Sequence, residues 1–479
     1  MRFAVLGLAF AALAALAHAQ TPAGIPQDAS TFDREFSARF QYPPPEPLPA
    51  EIAEQGTGQI ADATYFAQFP NFDRAYTPAA RQQARRLADR LRSDAGRLSH
   101  EQFVLRVAEI AALADNGHTA IGENAFRKNT SRLPVRTFLF ADGLYLLRAT
   151  PANADLLGAR IDAIDGHRVE DVFRQIRRYH GGEDAYRRIS LLPMLESPAL
   201  LQAAGIAREH DALTLRGVTA QGAPFERRII AEQRDRGAPV SSTGRTVYPT
   251  GPDNPMRSFL SESDTLPIYL HGRQDLFWIE PTPADGLYVG VGNNNDSDDL
   301  PIATFLDSAL NRIRTEHPRF VVLDMRMNGG GDFTKTYAFA RALPAAASGA
   351  PIYVLTSAWT FSAAITTVGA LKQEGGNQVH IVGAPVGDRL RFWAEGGQFA
   401  LPNSFLTVGY AAGRYVYDDA CRDTSICSWL GYRYPVRVST LAPEISAPLT
   451  FAAYREGRDP AMEAVLAREA RSGSRARTR

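Results

Sequence analysis

Lysine is almost absent from this chain. Of its 52 basic residues, only Lys128, Lys335 and Lys372 are lysine, and all the others are arginine. Any mechanism that needs a lysine base in the C-terminal quarter of the 479 residues therefore has a single candidate, Lys372.

Net charge and long apolar runs are absent as well. The 52 basic residues balance 52 acidic ones, which argues against general binding to nucleic acid or to an anionic membrane. The apolar stretch Ala4–Ala17 is too short to span a bilayer, and no later stretch is long enough. Because Arg2 precedes it and the small-x-small site Ala17-His18-Ala19 follows it, residues 1–19 are predicted to be a signal peptide. We therefore expect an exported protein, periplasmic or secreted, with no membrane span.

Cysteine is limited to Cys421 and Cys427. In an oxidising compartment two cysteines at this spacing can close a small loop, so a disulfide is predicted. The spacing C-x5-C with no neighbouring histidine is poor for zinc. No other group of His, Cys, Asp or Glu has metal-ligand spacing, and we expect neither a metal ion nor an organic cofactor.

Composition and periodicity divide the remaining chain into segments. Apolar three- and four-residue spacing predicts helices beginning at Thr77-Pro78 and at Ser99. Strand-like apolar runs alternate with helices in the C-terminal half, which predicts an α/β fold with a mostly parallel sheet. The predicted segments are a Pro-rich extended lead-in (20–60), a helical cap (61–130), a small β-rich module (131–235), a linker or surface loop (236–255), the α/β core (256–465) and a basic disordered tail (466–479).

Ser362 is the first candidate for chemistry. It follows the apolar run YVL and begins the small-residue helix SAAITTVGAL. A hydroxyl at a helix start lies near backbone N–H donors and the positive end of the helix dipole, and both assist a nucleophile. The alternative is a plain N-cap. The pattern G-x-S-x-G is absent, so the elbow of ordinary α/β-hydrolases is not indicated.

Two further motifs could act with this serine. The strand VVLDMR runs into NGGGDF, where glycines would let backbone N–H groups approach a ligand or a developing anion. The motif DNGHTAI places His118 in a short glycine turn after a helix, and histidine is the commonest general base. Taken singly, the first could be an ordinary glycine turn and the second a structural histidine.

Taken together, these motifs resemble the serine peptidases of the C-terminal-processing (tail-specific) family, which includes the tricorn core protease. D-x-G-H-T after a helical cap is similar to the branch that uses a Ser-His pair. LLGARIDAIDG resembles the PDZ-like module of these enzymes, and FALPNSFLTV and GRDPAMEAVLA resemble later elements of their core. The resemblance implies a crotonase-like core for residues 256–465, a PDZ-like module for residues 131–235 and a peptide or protein as the substrate.

The resemblance also implies residue roles. Ser362 matches the nucleophile and His118 matches the general base. The N–H of Ala363, with that of Gly330 or Gly331, matches the oxyanion hole. The reaction would be acyl transfer from a peptide bond to the serine, followed by hydrolysis of the acyl-enzyme.

The match departs from the family at the base and at its carboxylate partner. The tail-specific branch uses a lysine, but Lys372 lies ten residues beyond Ser362 on the predicted helix, roughly 15 Å away. A histidine base needs a carboxylate to orient it, and GDRLRFWAEGG offers Asp388 and Glu395. We select Glu395, beside two glycines; the alternatives are Asp388 and the acidic residues around the cysteines, which are Asp418, Asp419 and Asp423.

Two other functions compete with the peptidase. Retinoid-binding relatives of the same fold are non-catalytic, so an inactive ligand- or peptide-binding protein is the alternative. Such a protein need not keep both Ser362 and the D-x-G-H motif, whereas this chain has both. An acyl-CoA enzyme on a crotonase-like core is disfavoured, because acyl-CoA is intracellular and the chain begins with an export signal.

Overall fold

The structure is a computed structural model that describes residues 58–477 except 123–125, 127–129, 233–242, 252–253, 262–263 and 274–275. The predicted signal peptide and nearly all of the predicted lead-in lie outside the described residues. No helix within this part of the chain is both long and apolar enough to cross a membrane.

Helices occupy the N-terminal cap and alternate with strands in the C-terminal half. The helix Pro78–Asp94 begins after the N-cap Thr77, and the helix His100–Ala112 begins after Ser99, whose side chain forms a capping box with Gln102. Both predicted helix starts are therefore confirmed. The α-helices are α1 (Gly58–Phe66), α2 (Phe69–Phe72), α3 (Pro78–Asp94), α4 (His100–Ala112), α5 (Val169–Ile176), α6 (Asp184–Ser190), α7 (Leu192–Leu195), α8 (Pro198–Ala203), α9 (Ile302–Glu316), α10 (Thr334–Ala346), α11 (Ala363–Gly375), α12 (Trp429–Arg433), α13 (Phe451–Arg455) and α14 (Pro460–Arg477).

The strands form two large sheets and two short antiparallel pairs. They are β1 (Val135–Phe140), β2 (Gly143–Ala149), β3 (Arg160–Ile164), β4 (His167–Arg168), β5 (Ala212–Val218), β6 (Pro224–Ile230), β7 (Arg257–Ser258), β8 (Phe277–Thr282), β9 (Gly286–Val291), β10 (Val321–Asp324), β11 (Ile352–Thr356), β12 (Val379–Gly383), β13 (Arg391–Ala394), β14 (Gly397–Ala400), β15 (Thr407–Tyr410), β16 (Gly413–Val416) and β17 (Ile445–Ser446).

The first sheet is antiparallel throughout. Its strand order is β1-β2-β3-β5-β6, with β4 paired to β3 and β7 paired to β2. The predicted turn at Asp142-Gly143 joins β1 to β2, where Phe140 pairs with Gly143. The cap helices α3 and α4 and the helices α5–α8 share one hydrophobic cluster with this sheet.

The second sheet carries the C-terminal half in the order β17-β12-β11-β10-β9-β8. Every pair is parallel except β8 with β9, so the mostly parallel sheet is confirmed. Successive residues of β10 point to opposite faces: Val321 and Leu323 pack under α9–α11, and Val322 packs against the last helix. Both faces are covered, which explains why these strands are continuous apolar runs.

Three of the predicted segments differ from the structure. The lead-in to residue 60 is cut short because α1 begins at Gly58. Within the predicted linker, Val247 and Tyr248 are buried among aromatic residues, so this part packs rather than forming an exposed loop. The tail predicted as disordered from residue 466 is helical to Arg477, since α14 continues through it and Glu469 accepts a hydrogen bond from Tyr353.

Candidate active site

Ser362 lies at the turn between β11 and α11, at the C-terminal edge of the parallel sheet. Its backbone has φ 54° and ψ −124°, a conformation that costs a non-glycine residue about 1–3 kcal/mol. It is the N-cap of α11, but its side chain makes no capping hydrogen bond. The hydroxyl is therefore free for another partner, and the strained turn has the character of a nucleophile elbow without its flanking glycines.

Neighbouring backbone holds this turn in place. The Thr360 hydroxyl donates to the Met325 carbonyl (2.8 Å), and the Phe361 N–H donates to the Asn328 carbonyl (3.0 Å). The Gly387 N–H donates to the Thr360 carbonyl (2.9 Å). These bonds attach the turn to the segments after β10 and β12, and they offset the strain at Ser362.

His118 meets Ser362 across 244 residues of sequence. Its Nε2 lies 2.9 Å from Ser362 Oγ, within hydrogen-bond reach. The imidazole ring stacks on Phe361 (centroids 4.4 Å apart) and on Phe392 (5.7 Å). Burial between these rings lowers the pKa of His118 to about 4, so the imidazole is neutral near pH 7 and able to accept a proton.

A buried polar network fixes the turn that carries His118. Asn116 Nδ2 donates to the Thr119 hydroxyl (3.0 Å), which donates to Asp73 Oδ2 (2.6 Å). The same carboxylate oxygen accepts the Ala411 N–H (2.9 Å), which ties the cap to the strand pair β14–β15. Asp73 was not identified from the sequence, because a single aspartate between two helices carries no local signal of its distant partners.

Asp388 provides the carboxylate beside His118. Its Oδ2 lies 3.8 Å from His118 Nδ1, and both atoms are buried with no hydrogen-bond partner among the described residues. The separation exceeds a hydrogen bond by several tenths of an ångström. Asp388 Oδ1 accepts the N–H of Arg389 (2.8 Å). Burial raises the pKa of Asp388 to about 7 despite that bond.

Glu395, our choice from the sequence, is placed elsewhere, and this selection is corrected. Its carboxylate accepts a hydrogen bond from the Tyr415 hydroxyl (2.6 Å), and burial raises its pKa. It lies just after β13 at φ 53°, and this backbone bend directs the chain into β14. The alternatives near the cysteines have local partners: Asp418 with Arg391, Asp419 with Ala420 and Arg422, and Asp423 with Ser425.

The glycine loop after β10 reaches the serine. A Cβ added to Gly330 (φ 107°) would lie 2.7 Å from Ser362 Cβ and 3.1 Å from the Ala363 nitrogen, so only glycine fits there. The Gly330 N–H is already used, since it donates to Asn328 Oδ1 (2.9 Å). Gly330 therefore lets the loop approach Ser362 closely, but its own N–H is not free to donate to an oxyanion.

The orientation of the peptide bond between Gly330 and Gly331 determines where the N–H of Gly331 points. The Gly330 carbonyl accepts the Asn294 N–H (2.9 Å) on the β9 side of β10. In a trans peptide the following N–H points the opposite way, so the Gly331 N–H points away from Asn294. The Ala363 N–H is the first of α11 and has no intrahelical acceptor.

Helix α6 adds a wall to the site. The ring of Tyr186 stacks on Phe361 at 3.8 Å and 7° between planes. Arg389, next to Asp388, bridges Glu183 (2.6 Å) and Asp115 (3.0 Å). Through Arg389, Asp115 anchors the His118 turn to the segment before α6.

The predicted disulfide is present. Cys421 and Cys427 are bonded, with Cα atoms 5.8 Å apart.

Solved structures of CPAF share this fold. Mature CPAF aligns over 84% of this chain and 94% of its own, with 12% sequence identity and a TM-score of 0.52. Mature CPAF complexed with lactacystin gives 13% identity and 0.53 over 84% and 95%, and a serine-to-alanine mutant of CPAF gives 14% and 0.54 over 84% and 94%. The chain matches no protein-family model and no curated protein sequence.

CPAF belongs to the tail-specific peptidase family. The family resemblance drawn from the sequence motifs is therefore confirmed at the level of the fold. At 12–14% identity the likeness establishes fold alone, and the chemistry has to be argued from this chain's own residues.

Proposed function

We propose that this protein is a serine endopeptidase that hydrolyses peptide bonds of peptides or unfolded proteins. The observation that carries the proposal is the 2.9 Å contact between His118 Nε2 and Ser362 Oγ. A serine with a neutral histidine at this distance is the arrangement that acyl transfer needs.

In this proposal Ser362 Oγ attacks the scissile carbonyl carbon while His118 Nε2 accepts the hydroxyl proton. The imidazolium then donates that proton to the leaving amine, which departs and leaves an acyl-enzyme. A water molecule, deprotonated by His118, hydrolyses the ester and restores the serine. The neutral state of His118 that its buried position favours is the state required at the first step.

We assign Asp388 in place of Glu395 as the carboxylate that orients His118. With Nδ1–H directed at Asp388, Nε2 is left unprotonated and can accept from the serine. The 3.8 Å separation must shorten for a hydrogen bond to form, and unliganded sites commonly tighten when substrate binds. The imidazolium of the intermediate would draw the ionised carboxylate inward.

The N–H groups of Gly331 and Ala363 are proposed to form the oxyanion hole. Both belong to backbone held beside Ser362, one by the glycine loop and one by the start of α11. A donor of this kind typically contributes about 3–4 kcal/mol to transition-state stabilisation.

A fluorophosphonate probe tests the proposal directly. The wild-type protein should be labelled on Ser362, Ser362→Ala should take no label, and His118→Ala should be labelled far more slowly. His180→Ala is a matched control, since His180 is also buried but binds the Gly181 carbonyl. An unlabelled wild-type protein that also cleaves no peptide library would refute the peptidase and favour a binding protein on this fold.

We also propose that residues 131–235 form a PDZ-like module and that residues 256–465 form a crotonase-like core, as the family resemblance implies. We further propose that the protein is exported. The support for export is the N-terminal segment MRFAVLGLAFAALAALAHA. Mass spectrometry of the protein from its native host should find a mature chain that begins near Gln20. A chain that retains residues 1–19 would contradict this proposal.

A further inference from the structure

An arginine-lined cavity of about 170 Å³ lies between α5 and α6. Four guanidinium groups line it, together with the carboxylates of Glu170 and Asp184; the arginines are Arg174, Arg177, Arg187 and Arg188. The cavity wall therefore carries an excess of positive charge. It is separate from the Ser362 site, although Tyr186, whose ring stacks on Phe361, lies beside it on α6.

The carboxylates do not neutralise all four arginines. Arg188 binds Glu170 through two contacts of 2.6 and 2.9 Å, while its guanidinium lies 4.4 Å from the ring centre of Phe173. Arg174 is paired with Asp171 (2.9 Å) on the same helix. Within the described residues, Arg177 is the lining arginine that has no carboxylate partner.

Arg187 adds an unsatisfied donor. The residue is 8% exposed, and its Nη2 donates to the Gly182 carbonyl (2.6 Å) and to Asp115 (3.3 Å), while its Nη1 lies 3.6 Å from the lining carboxylate of Asp184. Its Nε is buried and has no acceptor among the described residues, as is also true of Arg188 Nε. Arg187 therefore adds a nearly buried positive charge to the cavity wall.

We propose that this cavity binds one oxyanion group, a carboxylate or a phosphate, through Arg177 and Arg187. Guanidinium groups match the planar geometry of carboxylates and phosphates and bind both more strongly than neutral acceptors. The volume suits a single such group rather than a drug-sized ligand, which needs about 300 Å³ or more. The oxyanion can come from an acidic peptide side chain or from a free inorganic anion. Binding does not depend on the peptidase function proposed above.

Calorimetric titration at constant ionic strength tests the site and separates the two sources. The probes are inorganic phosphate, an acetylated and amidated Glu-Glu dipeptide, and the matching Gln-Gln dipeptide. We expect saturable millimolar binding of an oxyanion probe and none of the Gln-Gln dipeptide. Binding of Glu-Glu identifies acidic peptides as a source, whereas binding of phosphate alone assigns the site to inorganic anions.

Amino-acid replacements identify the arginines that bind the oxyanion. Arg177→Gln should weaken binding about tenfold, the value of one charge-assisted hydrogen bond, and it should leave the fold intact because Arg177 is exposed. Arg216→Gln is the matched control, because Arg216 is exposed on β5 and does not line the cavity. The proposal is overturned if no oxyanion probe binds saturably, or if the control weakens binding as much as Arg177→Gln does.

Discussion

Replacement of Asp388 with asparagine should stabilise the fold at alkaline pH while it impairs the active site. The Asp388 side chain is 2% exposed, and one of its oxygens has no hydrogen-bond partner within the described part of the chain. Burial raises its pKa from 3.8 to about 7. Ionisation in the folded protein is therefore costly, and asparagine avoids that cost with a side chain of nearly the same shape.

The direction and the size of the contribution of Asp388 to the free energy of unfolding follow from proton linkage. A folded-state pKa above the unfolded value means that the folded protein binds this proton more tightly. The resulting stabilisation is fully present below pH 3.8 and is lost as the pH rises through about 7. At 1.36 kcal/mol per pKa unit the total is about 4 kcal/mol, of which about 3 kcal/mol disappears between pH 5 and pH 8.

Urea unfolding at pH 5 and at pH 8 measures this difference. Asp388→Asn should exceed the wild-type free energy of unfolding by about 1–2 kcal/mol at pH 5 and by about 4 kcal/mol at pH 8, so that the difference grows by about 3 kcal/mol between the two pH values. Fluorophosphonate labelling at pH 8 should change in the opposite direction and become slower than in the wild type, because asparagine cannot stabilise the imidazolium of His118.

Asp418→Asn is the matched control. Asp418 lies on the surface and pairs with Arg391 at 2.7 Å, so its replacement should change stability by no more than about 1 kcal/mol at either pH. The reasoning is refuted if Asp388→Asn shows the same stability difference from the wild type at pH 5 and at pH 8.

Four further outcomes are expected. Ser362→Gly should raise the free energy of unfolding by about 1 kcal/mol, since glycine removes the strain at φ 54°, and should abolish labelling; an unchanged or lowered stability would contradict the strain. Gly330→Ala should suppress labelling, because its Cβ would lie 2.7 Å from Ser362 Cβ; labelling at the wild-type rate would contradict this close approach. Replacing both Cys421 and Cys427 with serine should cost about 2 kcal/mol, the loop-closure value for a separation of six residues, as read from urea unfolding under oxidising conditions. The wild-type labelling rate should rise with pH through about 7 as Asp388 ionises, and a flat profile in that range would exclude this carboxylate from the site.

Local pattern predicted much of the fold. The buried strands were visible because a parallel sheet covered on both faces requires continuous apolar runs such as RFVVLDMR. The helix starts at Thr77 and Ser99 were visible because capping is chemistry between residues three apart. The disulfide between Cys421 and Cys427 needed only a short loop.

Contacts between distant segments of the chain could not be predicted from local sequence pattern. Glu395 and Asp388 are seven residues apart and chemically alike, and only the course of β13 decides which of them faces His118. The burial of Val247 and Tyr248 depends on aromatic side chains from β1, β2 and α13, so a segment rich in Gly, Pro and Ser gave no sign of it.

The sequence by itself determined the types of residue available, since serine, histidine, glycines and carboxylates stand in motifs whose local structure follows from short-range rules. The tertiary structure alone decided their geometry: the positive φ of Ser362, the 2.9 Å approach of His118, and the close approach of Gly330 to the serine. The physical reason is range. Helix caps and strand alternation are set by neighbours a few residues away, whereas the reacting pair is separated by 244 residues and is brought together only by packing of the cap against the sheet.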